Sequence, residues 1–166
     1  MIVYDTRFNA NEWFVIVGFC IGYGMLFLLP RRFSYKITLL FIICGIYSGF
    51  FYDHSLSVEP KDFYDVNDTS LYQPWDFLSY LMYGPLSYLF FYIWDCVRFK
   101  FRFAPLYIFA WGLVAVAFEK FAIVCHVFHY KNGYRLAYSF PIYLLTYSIW
   151  SALYYYFKVR QANAKA

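Results

Sequence analysis

Charge is scarce in this sequence. Asp, Glu, Lys and Arg make up 14% of it, where a soluble domain carries about a quarter. That shortage excludes an ordinary water-soluble domain. It also leaves no solvated basic face, and with no recognisable nucleic-acid motif it excludes nucleic acid as a partner. Cysteine is sparse too. Cys20, Cys44, Cys96 and Cys125 form no CxxC pair and each lies in or beside an apolar run, which argues against a disulfide framework and for small buried packing residues. There is no HExxH and no other catalytic signature. No linker divides the chain, and no internal repeat is visible.

What the chain has is apolar and aromatic surface: 63% hydrophobic residues, 28% aromatic. They fall in five runs, at about 13–30, 35–52, 77–94, 105–130 and 136–157. A span needs about 20 mostly apolar residues to cross about 30 Å of hydrocarbon. The expected fold is therefore all-α: one domain over 1–166, an integral membrane bundle of five transmembrane helices. The opening "MIVYDTRFNANE" lacks the basic start and small-residue cleavage site of a cleaved signal peptide, so the first run is read as a true span.

Basic residues set the expected orientation. Arg31, Arg32, Lys36, Arg98, Lys100, Arg102, Lys158, Arg160 and Lys165 fall on one side, and only Arg7, Lys61, Lys131 and Arg135 on the other. The N-terminus is then outside, the C-terminus cytoplasmic, and an acidic loop at about 53–76 extracellular. Within that loop Asp65, Asn67, Thr69 and Asp76 have the rhythm of a calcium loop. Ser70 stands where a glycine is needed, and Pro74 interrupts, so the stretch reads as acidic and solvated. Asn67-Asp68-Thr69 is also a formal glycosylation sequon, relevant only in a eukaryotic source.

Inside the spans, Gly18/Gly22 and Gly45/Gly49 are small-xxx-small pairs, which let helix backbones approach. They predict a crossing of helices 1 and 2. Asp76, Tyr80, Tyr83 and Ser87 form a polar stripe in span 3, and Tyr143, Tyr147, Trp150 and Tyr154 one in span 5. Such stripes face a bundle interior, as a hydrogen-bonded core or as the wall of an aromatic pocket. Pro85 is expected to bend span 3.

The stretch 118–130, "FEKFAIVCHVFHY", carries four ionisable groups in an apolar run. At 100° per residue Glu119, His126 and His129 share one helical face, and Lys120 points away. Glu119 would lie about 10 Å deeper than His126. It is expected to accept a Tyr hydroxyl from span 3 or 5. His126 and His129 would meet Asp53, His54 and Asp76 at the outer surface. That group reads as interfacial histidines, as a ligand or proton site, or as a metal site built on His54, His126 and His129.

Four stretches, "LPRRF" at 29–33, "FYDHSLSVEPKDFYDVND" at 51–68, "DFLSYLMYGPLSYLF" at 76–90 and "FHYKNGYRLAYSFPIY" at 128–143, together resemble an uncharacterised family of small multi-span membrane proteins from Gram-positive spore-forming bacteria. The resemblance implies a bacterial plasma membrane and brings no activity or site residues with it.

Three function classes follow. The leading one is a non-enzymatic accessory: a subunit, sensor or assembly partner of a membrane complex, with the lipid bilayer and a membrane protein as its partners. The second is a carrier or binder of a proton, ion or apolar ligand, using the interior stripes and Glu119. The third is a metal-dependent intramembrane enzyme using the outer His/Asp cluster. No cofactor is predicted, a divalent metal at the outer histidines being the one candidate.

Overall fold

Asn9 starts the first helix with a reciprocal cap. Its side-chain oxygen accepts the N–H of Asn11 at 3.2 Å, while Glu12 accepts the N–H of Asn9 at 2.7 Å. Backbone donors that the first turn would leave unpaired are thus satisfied. In the computed structural model, which describes residues 1–98 and 100–163, the helices are α1 (Ala10–Leu28), α2 (Tyr35–Leu56), α3 (Pro74–Val97), α4 (Ala104–Val124) and α5 (Leu136–Asn163). Two short strands, β1 (Tyr64–Val66) after α2 and β2 (Phe128–Tyr130) after α4, pair antiparallel. Among the described residues three stretches, Ala10–Leu28, Tyr35–Leu56 and Phe101–Val124, are long and apolar enough to cross a membrane.

The helices form two layers. In the first, α1 and α2 both lie against α3; in the second, α4 pairs with α5. The glycine pairs explain the first layer, though not as a crossing of helices 1 and 2. A Cβ on Gly18 would stand 2.5 Å from Met82 Sδ, and one on Gly22 would stand 2.9 Å from Pro85. A Cβ on Gly45 would collide with the carbonyl oxygen of Tyr83, and one on Gly49 with the Tyr83 ring. Both pairs therefore receive α3. The physical reason is size: α3 presents Met82, Tyr83 and Pro85, and only a glycine face lets a backbone come close to them.

Pro85 removes the donor that would bind the carbonyl of Leu81. The Tyr23 hydroxyl of α1 donates to that carbonyl instead, at 3.2 Å. On the opposite side of α1, one half-turn from Gly18 and Gly22, Cys20 is exposed, as is Cys96, and Cys44 and Cys125 are only partly buried. The expectation of buried packing cysteines is corrected accordingly.

An aromatic cluster joins the layers. Phe90 is fully buried, with the rings of Tyr147, Tyr107, Trp150, Trp111 and Trp94 at 5.0–6.0 Å. Phe41 stacks on Phe91 at 3.7 Å. Beyond it, at the basic end, Asp95 of α3 binds Arg32 at 2.9 Å, accepts the Tyr154 hydroxyl at 2.7 Å and pairs with Lys158 of α5.

The opposite end is closed by the β1–β2 ribbon. The stretch read as a solvated loop folds inward: Tyr64, Asp65, Asn67 and Thr69 are all buried. Asn67 Nδ2 donates to Asp76 Oδ1 at 2.7 Å, and Val3 forms a bridge with Thr69. Alternate residues from Asp65 to Thr69 thus bury their polar groups, between the N-terminal arm and α3.

Candidate functional site

The helix that carries Glu119 is shorter than its sequence suggests. It ends at Val124, not at residue 130. Val127 N–H donates to Ala122 O at 2.9 Å and His126 N–H to Ile123 O at 3.0 Å, with His126 left-handed at φ 61°. This is the Schellman ending, with histidine where glycine is usual. Buried Val127 lies over buried Ala122, the apolar contact that accompanies the motif. The chain then reverses into β2. His126 and His129 consequently do not share a helical face with Glu119.

That reversal builds the surroundings of Glu119, which is 8% exposed. Tyr130, at the end of β2, donates its hydroxyl to Oε1 at 2.5 Å. Asn132 and Gly133 follow, both with positive φ, and Tyr134 N–H closes the turn on Lys131 O at 2.9 Å. The chain enters α5, where Ser139 donates to Oε1 at 2.7 Å and Tyr143, one turn on, donates to Oε2 at 2.9 Å. Three hydroxyls meet one carboxylate, and Lys120 is exposed on the far side.

Glu119 lines a cavity of about 180 Å³ between the two layers. Asp53, from the end of α2, lines it from the other layer and accepts the Tyr64 hydroxyl at 2.7 Å. Tyr83 of α3 and Trp111 of α4 add aromatic wall, and Tyr52 donates to or accepts from Thr146 across the gap at 2.8 Å. No Lys, Arg or His lines the cavity among the described residues.

No protein-family model, curated protein or solved structure matches this chain.

The other candidates divide into two places. Asp53, His54, Asp76 and Tyr80 border a smaller cavity of about 80 Å³. His54 is exposed; its Nδ1 is 2.9 Å from Phe50 O and its ring stacks on Phe50 at 4.0 Å. Asp76 is held by Asn67 and by the N–H of Gln73, at 2.7 Å each. His126 and His129 are elsewhere, the first in the turn after α4 and the second on β2. His129 stacks on Tyr4 at 3.8 Å, and His126 is exposed with its ring 6.4 Å from that of His129. The predicted meeting of His54, His126 and His129 with Asp53 and Asp76 is thus not formed: the left-handed turn ends the helix and hands His129 to β2, opposite Asp65. Among the described residues no three His, Cys, Asp or Glu side chains come together as a metal site.

Electrostatics tie the ribbon down. Lys131 reaches Asp62 at 2.6 Å and Asp65 at 2.9 Å, and Tyr4 donates to Asp65 at 2.6 Å. Burial, then the bond to Asp65, pushes the Tyr4 hydroxyl up to about 12. Burial opposes the Lys131 ammonium, but the two aspartates outweigh it and its pKa rises. Burial holds His129 below the usual imidazole value. Tyr64 is raised, by burial first and then by the Asp53 charge.

Tyr64, Tyr130 and Ser139 were not among the residues expected at the site. Only Ser139 left a signal, its spacing of four from Tyr143.

Proposed function

We propose that this is a multi-pass membrane protein that binds, and carries or senses, a small and largely apolar ligand between its two layers. One observation carries the reading: a cavity of about 180 Å³ between the layers with aromatic walls, bordered by Tyr147 and Trp150 of the aromatic cluster and by Tyr64 and Phe128 of the β ribbon. An apolar cavity of about 150 Å³ admits a benzene ring, so this one has room for a ring and a short substituent. This is the second of the classes open to the sequence. In the same reading all five helices cross a bacterial plasma membrane, the ribbon outside and the C-terminus in the cytoplasm, supported by the nine-to-four split of basic residues between alternate segments of the sequence.

Titration of the purified protein in mild detergent with small alkylbenzenes tests the ligand. Trp111 and Trp150 line the cavity and report through their fluorescence. Saturable binding that Ala115→Phe removes is expected; partitioning that never saturates and ignores that substitution ends the reading. Accessibility tags at the two termini test the topology, and labelling of both from the same side excludes five spans.

A further inference from the structure

We infer that the occupant is a small organic cation, an ammonium carrying an aryl or alkyl group, with Glu119 and Asp53 as its counter-charges. The inference rests on the cavity reading above and adds the ligand's chemistry.

Charge comes first. Two carboxylates from different layers line one cavity, and no Lys, Arg or His lines it among the described residues. Their partners are neutral hydroxyls: Tyr130, Ser139 and Tyr143 on Glu119, and Tyr64 on Asp53. A carboxylate away from water is costly unless an opposite charge joins its hydrogen bonds. The protein supplies no such charge here, so a ligand that brings one gains what a neutral ligand does not. An anion would be repelled from both layers.

The walls decide which cation. A metal such as calcium takes six to eight oxygens at short range, and no three acidic or histidine side chains converge among the described residues. The walls instead offer the rings of Tyr83, Tyr143, Tyr147, Trp111 and Trp150. Aromatic faces attract ammonium groups, and most strongly the poorly hydrated, alkylated ones. The volume suits one ring with a compact charged head.

Benzyltrimethylammonium and its uncharged isostere neopentylbenzene differ in charge and hardly in shape. Binding of each is measured by tryptophan fluorescence in mild detergent, with Ala115→Phe used to subtract partitioning into micelles. The cation should bind at least tenfold tighter than the isostere. Glu119→Gln and Asp53→Asn should each weaken the cation at least tenfold and leave the isostere within about twofold. An isostere that binds as tightly as the cation, or substitutions that leave the cation unaffected, overturns the cation while the cavity reading stands. Saturable binding of neither compound overturns both. Where a substitution unfolds the protein by circular dichroism, the wild-type comparison of the two compounds decides.

Discussion

Gly45 of α2 donates its N–H to Ser87 Oγ of α3 at 3.0 Å, and Ser87 is fully buried. The same hydroxyl lies 2.6 Å from Phe41 O and 2.8 Å from Gly84 O. One serine thus joins two helices beside the close approach of Gly45 to the Tyr83 carbonyl.

Gly45→Leu should destabilise the protein, because a Cβ there would stand 2.5 Å from Ser87 Oγ. Overpacking of this kind costs about 1–3 kcal/mol. Gly24→Leu is the control, since nothing lies within 4 Å of its Cβ position, and its cost should stay within about 0.5 kcal/mol. Thermal unfolding in mild detergent compares the two; equal midpoints would place Gly45 outside the interface.

His126→Gly should stabilise. A non-glycine residue in the left-handed region carries a penalty of about 1–2 kcal/mol, and His126 is exposed, so little packing is lost. The greater freedom of glycine in the unfolded chain offsets part of this, leaving a gain of about 0.5–1 kcal/mol. His126→Val should move the midpoint the other way, since a β-branched residue resists that conformation. A glycine variant less stable than wild type contradicts the Schellman ending.

His129 should make the ribbon acid-sensitive. Its ring faces Tyr4, with Asp65 opposite it in the ladder and His126 and Lys131 nearby. Burial lowers its folded pKa, so below about pH 6.5 the unfolded chain takes up a proton that the folded chain resists. Its contribution is whole above that pH and shrinks as pH falls towards the lowered value, by at most about 1.4 kcal/mol per pH unit. His129→Phe keeps a ring on Tyr4 and isolates this effect from the carboxylates. The gap between wild type and variant should change between pH 6.5 and 5; a constant gap would rule the effect out.

Glu119→Ala should cost more than Glu119→Gln. The alanine removes the acceptor of three hydroxyls; Ser139 keeps Tyr134 at 3.0 Å, while Tyr143, in the cavity wall, loses its carboxylate. A stranded buried group costs about 1–3 kcal/mol. Glutamine retains a carbonyl acceptor for part of the set. Denaturant midpoints order the two variants, and the reverse order would mean that the hydroxyls find other partners.

The helical runs and their inward stripes were legible because apolar runs and Tyr stripes act within a few residues of themselves. Glu119 could be placed inward on those grounds, and a Tyr hydroxyl of α5 does reach it. The end of α4 was not legible: residues 124–127 contain no glycine, proline or asparagine, and the Schellman turn works here through His126. That single turn relocated both histidines. The partner of the glycine pairs was hidden for another reason, since a small-residue face announces a close neighbour without naming it. The cavity depends on how two layers are spaced, which no local pattern encodes, and the sequence alone therefore favoured an accessory role.

Each layer lends one strand to the ribbon, β1 from the first and β2 from the second. The two layers are thus joined at one tip by this ladder, and further along by the Phe90 cluster. The far tips of the two layers lie a helix length, roughly 30 Å, from the ladder. At those tips Asp95 holds Arg32 of its own layer and Lys158 of the other. The layers are therefore tied at the basic end as well, and because ion pairs near the surface weaken in salt, rising ionic strength should loosen that tie before it affects the ladder.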